Sequence, residues 1–278
     1  MRGMSVLWMP LALVALAPFS HASPDGSRDA VPAPAQIQAC FLLFEFGVGE
    51  VRRDPSAACR TRVSPASTFK SPHARAALDS GAIAGTEEKL TYDGSAGWPE
   101  SSRRDHTLAS AIRHSVVWYF QQVARRLGAV RESAYLRRLS YGNMDASSGL
   151  TSFWLGGSLQ VTPEEQQEFL VRLYHDALPL KPGAMNAVRR MLIEPPGVVV
   201  NAAGEQPFDA PWPKDTIISA KPGSITDHSG RGVRWLVGHV QRGAHEFVFV
   251  GCVVGPATID SGAAIALAAA SLPQERVL

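Results

Sequence analysis

The sequence is poor in several features that mark common classes of protein. Only 19% of its 278 residues are charged, five are lysine, and the 27 basic and 25 acidic residues are mixed along the chain. Because no basic stripe occurs, the composition argues against nucleic acid as a partner. The 45% of hydrophobic residues exclude a disordered chain, since disordered chains are apolar-poor and highly charged. The length allows one large domain or two small ones.

Metal-binding patterns are also missing. The eight histidines form no HExxH pattern and the three cysteines form no CxxC pair. We therefore predict no metal site and set aside a metal-dependent hydrolase. The run Asp227-His228-Ser229 contains the residue types of a catalytic triad. Neighbouring residues in a glycine-rich turn cannot converge on one point, so we interpret this run as a loop.

A hydrophobic run at the amino terminus indicates export. Residues 1–22 combine Arg2, the short apolar run Val6–Ala17 and a small-x-small cleavage site that ends at Ala22. The alternative is a membrane anchor, but two prolines interrupt a run that is already shorter than the roughly 20 residues of a spanning helix. We predict cleavage after Ala22, a periplasmic location and no membrane span in the mature chain.

Strand patterns at both ends of the chain flank a helical middle. Residues 23–36, rich in proline, alanine and serine, form a flexible lead-in, and residues 37–278 form one domain. Within it we predict a hairpin of Cys40–Phe46 and Glu50–Arg53, a helix from Ser115, a capped helix from Thr162, strands at Thr216–Ala220, Val233–Val240 and Glu246–Val254, and a final helix at Ser261–Leu272. This order predicts an α/β (α+β) fold: one sheet built from both termini, a separate helical lobe, and a cleft where they join.

Two of the cysteines flank the predicted hairpin. In an oxidising compartment Cys40 and Cys59 are a candidate disulfide, although the sequence does not give the separation of their Cα atoms. Cys252 lies in an apolar run and is most simply a small buried side chain.

The segment Ser67-Thr68-Phe69-Lys70 carries the first strong chemical signal. Three residues apart on a helix, the Ser67 hydroxyl and the Lys70 amine lie on one face and within reach of each other. Serine needs an adjacent base to act as a nucleophile, and lysine is that base only if burial lowers its pKa. A lone Ser-x-x-Lys pattern also fits a capping serine and a surface lysine. Two further elements change this balance: Ser115 at a helix start and Lys221 after a strand.

Three serine or lysine elements in this order resemble serine β-lactamases and penicillin-binding proteins. The finer resemblance is to class D, the oxacillinase-type β-lactamases, and it extends from about Cys40 to Val254. Six segments carry it: Pro65–Lys70 (PASTFK), Asp105–Leu108 (DHTL), Ser115–Tyr119 (SVVWY), Tyr141–Asn143 (YGN), Phe153–Leu155 (FWL) and Trp235–Gly238 (WLVG). The resemblance implies a β-lactamase/transpeptidase-like fold and a penicillin-recognising serine acyltransferase core.

The resemblance also implies a role for each site residue. Ser67 is the nucleophile that opens the β-lactam ring, and Lys70 is the general base. Ser115 and Lys221 relay protons to the leaving nitrogen, and Lys221 adds positive charge near the substrate carboxylate. The backbone N–H groups of Ser67 and Ser224 form the oxyanion hole, with Gly223 in the same substrate-binding segment. For Tyr141–Asn143 we favour a structural role that shapes the cleft.

In this family the catalytic lysine is a carbamate, N6-carboxylysine, formed with dissolved carbon dioxide. On that basis we expect no cofactor beyond carbon dioxide or bicarbonate at Lys70. Phe69, Val117, Trp154 and Leu155 would form the dry pocket that favours an uncharged amine, and the Trp154 indole N–H would bind the carbamate. Small-molecule β-lactams are the expected substrates, and the mature protein is expected to be a monomer or homodimer.

The chain departs from the family pattern at two places. The third motif usually has threonine or serine between its lysine and glycine, whereas here the middle residue is Pro222. Proline removes a carboxylate-binding hydroxyl and a backbone N–H, and we expect the local strand ladder to be adjusted around it. The stretch Ile259–Leu267 contains no arginine where the family usually places one for the substrate carboxylate. Both changes predict a weak or narrow-spectrum enzyme, mainly through a raised KM.

Two other functional classes stay open from the sequence. A β-lactam-binding sensor or penicillin-binding protein would acylate without deacylating, but such sensors are tethered to a membrane, and Phe69 and Trp154 suit deacylation. A degenerate, non-catalytic binding module is the second alternative, and Pro222 is the main argument for it.

Overall fold

The central sheet is assembled from both ends of the chain. The structure is a computed structural model that describes residues 36–54, 57–275 and 277, so the predicted signal and almost all of the predicted lead-in lie outside the described residues. Its strands are β1 (Gln38–Glu45), β2 (Gly49–Arg53), β3 (Lys89–Leu90), β4 (His106–Thr107), β5 (Ile193–Glu194), β6 (Val198–Asn201), β7 (Gly204–Pro207), β8 (Thr216–Thr226), β9 (Arg231–Arg242) and β10 (His245–Pro256). The main sheet has the order β2-β1-β10-β9-β8-β5. Every neighbouring pair in it is antiparallel, which agrees with the predicted fold class.

Within the described residues, six α-helices accompany the strands, and five of them come from the middle of the chain. They are α1 (Lys70–Ser80), α2 (Leu108–Arg113), α3 (Val117–Leu139), α4 (Pro163–Tyr174), α5 (Pro182–Met191) and α6 (Ala263–Ser271). Helix α4 begins with the predicted capping box, in which Thr162 and Glu165 satisfy each other's backbone N–H groups. Helix α3 is interrupted at Gly128, where φ is +76°.

Both faces of the sheet are buried, which explains the nearly continuous apolar runs in β1, β9 and β10. Along β1, Cys40 and Leu42 belong to the core under the helical lobe, whereas Phe41 and Leu43 face a second core. This alternation follows from the two-residue period of a strand. Helix α6 contributes Ala264, Ile265 and Ala268 to the second core. The cleft therefore lies on the helical-lobe side of the sheet.

The predicted helix that starts at Ser115 begins two residues later. Ser115 has φ +54° and Val116 is extended, and α3 starts at Val117. Sequence periodicity missed this because the apolar stripe continues through the turn. The strand predicted to end at Ala220 instead continues to Thr226, so the third motif lies inside β8.

A disulfide joins β1 to the short 3-10 helix Ala57–Arg60. It links Cys40 and Cys59, whose Cα atoms are 5.2 Å apart. Cys252 is a free, buried thiol. In the part of the chain that the structure describes, no helix combines the length and apolarity needed to cross a membrane.

Candidate active site

Ser67 and Lys70 meet at the start of α1. Ser67 lies in the 3-10 helix Ala66–Phe69, which leads directly into α1 at Lys70. The residue before Ser67, Ala66, has φ +48°, a conformation that is strained for a residue with a Cβ. The Lys70 Nζ donates a hydrogen bond of 2.7 Å to the Ser67 Oγ. Ser67 is partly exposed to the cleft, whereas Lys70 is fully buried.

Burial favours the neutral form of Lys70. Desolvation lowers the pKa of its amine well below the ordinary value, and the charge of Lys221 lowers it further. The Nζ lies 5.6 Å from the centre of the Phe120 ring, and the described residues place no carboxylate within salt-bridge distance of it. An uncharged amine beside a serine hydroxyl is able to accept its proton.

Ser115 and Lys221 form a second serine–lysine pair. Ser115 occupies the turn between α2 and α3, where its N–H donates to the Ile112 carbonyl. The Lys221 Nζ donates hydrogen bonds to the Ser115 Oγ and, at 3.4 Å, to the Pro222 carbonyl. Burial lowers the pKa of Lys221 to about 7, although the charge of Glu194 opposes this shift. The pair is therefore poised to hold or release a proton near neutral pH.

Pro222 does not disturb the sheet. β8 pairs with β9 in continuous register through Pro222 opposite Leu236. The Ala220 N–H donates to Leu192, on the side away from β9. Since backbone groups alternate along a strand, the nitrogens of Pro222 and Ser224 also point away from β9. The expected adjustment of the ladder is wrong, because the missing N–H belongs to the open edge of β8.

Gly223 allows the nucleophile segment to pack directly on β8. A Cβ at Gly223 would lie 3.1 Å from the Thr68 Cγ2 and 3.2 Å from the Pro65 carbonyl oxygen. A side chain there would require these two segments to shift by a few tenths of an ångström. The close approach brings Ser67 beside the edge of β8 to which the Ser224 N–H points.

Comparisons with known proteins agree with this geometry. A family profile described as the penicillin-binding protein transpeptidase domain matches residues 47–272. The β-lactamase OXA-10 of Pseudomonas aeruginosa is 35% identical over 215 residues, 77% of this chain and 75% of that protein. The probable β-lactamase YbxI of Bacillus subtilis is 36% identical over 190 residues, 68% of this chain and 64% of that relative. The solved class D β-lactamase BAT-2 superposes with a TM-score of 0.74 at 30% identity and covers 87% of this chain and 93% of that one.

The chain belongs to the class D β-lactamase family. Membership confirms the resemblance, the fold and the enzyme class that the sequence predicted. The matched stretch spans slightly less than two thirds of the Bacillus relative.

The pocket around Lys70 of this class D β-lactamase family member is partly as expected. Phe69 and Trp154 are buried with their ring centres 5.7 Å apart, whereas Val117 and Leu155 are only half-buried. Val117 is the first residue of α3, and it is the preceding residue, Val116, that is fully buried in the core. The Trp154 Nε1 is buried and has no hydrogen-bond partner. Buried indole N–H groups usually have a partner, so this atom is an unused donor in the pocket.

Tyr141 and Asn143 form hydrogen bonds with residues that lie next to the site. Gln166 accepts a hydrogen bond from the Tyr141 hydroxyl and donates one to the Thr68 Oγ1, beside the nucleophile. The Asn143 side chain binds the backbone of Ser158. These contacts fit the structural role that we favoured for Tyr141–Asn143.

The sequence analysis did not identify two buried groups that lie near the site. His73 binds Glu132 at 2.5 Å, and its ring lies 5.5 Å from that of Trp154. Its position one turn after Lys70 was a usable signal, but nothing local in the sequence pairs it with Glu132. Glu194 on β5 is buried, and desolvation raises its pKa to about 7.

Proposed function

We propose that the chain hydrolyses β-lactam antibiotics through a covalent acyl-enzyme on Ser67. The observation that carries this proposal is the 2.7 Å hydrogen bond between the partly exposed Ser67 hydroxyl and the fully buried Lys70 amine. Burial lowers the pKa of that amine, so the site pairs a nucleophile with a base. Membership in the class D family supports the same reaction.

In acylation, the Ser67 Oγ attacks the β-lactam carbonyl carbon as its proton passes to the base at Lys70. The negative oxygen that develops would lie between the N–H groups of Ser67 and Ser224, where one such donor contributes about 3–4 kcal/mol. The C–N bond then breaks, and the ring nitrogen receives a proton from the Ser115–Lys221 pair. Water that loses a proton to the base completes hydrolysis of the ester.

The pocket of Lys70 fits a carbamate on the amine. Forming it requires a neutral amine, and burial lowers the pKa of Lys70 accordingly. A carbamate would supply an anionic base beside Ser67. The unpartnered Trp154 Nε1 is a donor for one of its oxygens, and Phe69 and Trp154 exclude water from the pocket. Carbon dioxide or bicarbonate is then the only cofactor that the site needs.

Pro222 weakens substrate binding in this proposal without breaking the sheet. The missing N–H belongs to the open edge of β8, so its loss raises KM. Ser224, which is exposed two residues further on the same face of β8, replaces the hydroxyl. An unchanged KM in Ser224→Ala would contradict this role. Export to the periplasm and protection against β-lactams belong to the same proposal, while the oligomeric state stays a prediction.

The proposal is tested by hydrolysis of a chromogenic cephalosporin with and without added bicarbonate. We expect turnover by the purified mature chain that rises with bicarbonate and is lost in Lys70→Ala. Lys214→Ala, which removes an exposed lysine, is the matched control and should retain full activity. A stable adduct on Ser67 without turnover, detected by mass spectrometry, would favour the sensor or penicillin-binding class. Absence of both turnover and adduct would favour a degenerate binding module.

A further inference from the structure

A fully buried arginine on α1 has no part in the proposed reaction. Arg75 is 0% exposed, and its Nη1 donates hydrogen bonds of 2.8 Å to the Ser71 carbonyl and 2.5 Å to the Ser71 hydroxyl. Its Nε and Nη2 are buried and have no hydrogen-bond partner. Much of the donor capacity of this guanidinium is therefore unused inside the protein.

Arg189 on α5 brings a second free donor to the same region. Helix α1 packs against α5, and the Lys181 N–H at the start of α5 donates to the Asp79 carboxylate near the end of α1. Arg75 lies one turn before Asp79 on the same face of α1, so it lies beside α5. The charge of Arg189 acts on that of Arg75, and the Arg189 Nε is also buried without a partner.

The aromatic residue between these groups and the sheet does not supply a negative charge. The Tyr174 ring centre lies 5.5 Å from the guanidinium carbon of Arg189, and the ring stacks on that of His239 with 3.9 Å between their centres. Burial raises the pKa of the Tyr174 hydroxyl, so this group is neutral near pH 7.

Arg75 is therefore a buried cation without a counter-ion. Among the described residues, no carboxylate forms a salt bridge with it: Asp176 pairs with Arg189, and Glu246 pairs with His239. Burial lowers the pKa of Arg75 to about 9, so the guanidinium still carries its charge near pH 7. A buried charge without a partner is strongly destabilising, whereas an anion beside it gains from both the charge and the free donors.

We propose that Arg75 and Arg189 form a buried binding site for a small monovalent anion of the halide type. Because Arg75 is fully buried, the site has no opening for a peptide carboxylate or a nucleotide, whereas chloride needs only N–H donors and room for one atom. Chloride accepts hydrogen bonds from the Nε and Nη2 of Arg75 and from the Nε of Arg189, and it holds α1 against α5. An anion that binds only the folded protein stabilises it. The site does not depend on the proposed reaction.

Thermal unfolding in sodium chloride and in sodium gluconate of equal ionic strength tests this site. We expect chloride at about a hundred times its Kd to raise the melting temperature of the unmodified chain by about 5–10 °C. Lys70→Ala should show the same rise, since the site lies outside the reacting groups. Arg75→Leu should lose the rise and, in gluconate, be at least as stable as the unmodified chain, because leucine removes an uncompensated buried charge. Arg190→Leu, at an exposed position next to Arg189, is the matched control and should retain the rise.

A general effect of salt would give a different result. If chloride and gluconate stabilise the unmodified chain equally, or if Arg75→Leu keeps the rise, the proposal fails. Should Arg75→Leu not fold, Arg189→Leu must raise the half-saturating chloride concentration at least about tenfold, the effect of losing one hydrogen bond to a charged group. Bromide soaked into crystals of the unmodified chain must give anomalous density between Arg75 and Arg189, and bromide found only elsewhere overturns the proposal.

Discussion

At the scale of single residues, the site contains two buried lysines, each bonded to a serine. Lys70 binds Ser67 and Lys221 binds Ser115. Burial lowers the pKa of both amines, and the charge of Lys221 further lowers the pKa of Lys70. Burial and the charge of Lys221 therefore both favour the neutral amine at Lys70.

The lowered pKa of Lys221 predicts how stability depends on pH. Its pKa is about 7 in the folded protein and 10.5 as a free side chain. Between these values the unfolded chain holds a proton that the folded protein lacks, so the free energy of unfolding rises with pH. In the window of pH 7–9 the buried Lys70, whose pKa is also lowered, adds a rise of the same sign, so the comparison with Lys221→Met gives the share of Lys221. Below this window Glu194, with a pKa raised to about 7, acts in the opposite direction; above it Arg75, with a pKa lowered to about 9, contributes.

Urea unfolding at several pH values between 7 and 9 measures this slope. Lys221→Met should flatten the rise, by at most about 1.4 kcal/mol per pH unit for one group. Lys214→Met, at an exposed position, should retain the slope of the unmodified protein. Equal slopes in Lys221→Met and the unmodified protein would show that Lys221 titrates normally.

Pro222 gives a second prediction at this scale. Pro222→Thr restores a hydroxyl and an N–H, the latter at the open edge of β8, and we expect KM for β-lactams to fall about tenfold to a hundredfold, as for one hydrogen bond to a charged carboxylate. The melting temperature should hardly change, since the Pro222 nitrogen does not face β9. Steady-state kinetics and thermal unfolding of the same preparation check both parts. A large gain of stability with unchanged KM would show instead that the nitrogen faces β9 and that threonine restores a ladder hydrogen bond.

The site residues differ in how far the sequence could predict them. Ser67 and Lys70 were predictable because both belong to one helical turn, where spacing fixes which side chains meet. The bonding of Lys221 to Ser115 depends on a turn at φ +54° and on a strand 106 residues away. Local sequence patterns do not show which residues, far apart in the chain, lie close together in the fold. For the same reason the sequence could not predict which way the Pro222 nitrogen points, because that direction depends on the register between β8 and its neighbours.

At the scale of elements, a buried histidine–carboxylate pair joins α1 to α3. His73 and Glu132 are each 1% exposed, and the His73 Nε2 lies 2.5 Å from the Glu132 Oε1. The His73 ring also lies 5.1 Å from the Phe69 ring, next to the nucleophile segment. The pair therefore fixes the helix that carries Lys70 against the longest helix of the lobe.

Removing one member of this pair should destabilise the protein strongly. We expect Glu132→Ala to lower the free energy of unfolding by about 3–5 kcal/mol, because the imidazole is left buried without its partner. Glu132→Gln, which keeps the volume and an acceptor oxygen, should lose less. Glu168→Ala on the exposed side of α4 is the control and should change stability by less than about 0.5 kcal/mol. Denaturant titration measures all three, and a loss below about 1 kcal/mol in Glu132→Ala would contradict the role of the pair.

Element prediction succeeded where the local signal was complete. The capping box of α4 and the strands of the terminal hairpins carry their own start and stop residues, and the structure has them near the predicted limits. The start of α3 was misplaced because a left-handed residue is not visible in a hydrophobic stripe. The length of β8 was underestimated because Pro222 and Gly223 are signals of a strand end that tertiary packing overrides.

At the scale of the whole molecule, the sheet and the helical lobe share one core. The larger core contains Leu42 and Val250 from the sheet together with Phe120 and Phe169 from the helices. The segment before Ser67 also ties the two parts, since the Trp235 Nε1 on β9 donates to the Ser64 carbonyl at 2.9 Å. The main sheet is itself complete only when the early strands β1 and β2 pair with the late strand β10.

This shared core predicts that the two parts of the domain unfold together. In urea, the transitions followed by far-ultraviolet circular dichroism and by tryptophan fluorescence should coincide, as expected for one cooperative unit. Hydrogen exchange gives the sharper measurement: the slowest amides of α3 and of β9 should open with the same free energy and the same dependence on denaturant. If α3 opened at lower denaturant than β9, the lobe would be a separate cooperative unit. The two serine–lysine pairs would then be held together by the cleft contacts alone, because Lys70 belongs to the lobe and Lys221 to the sheet.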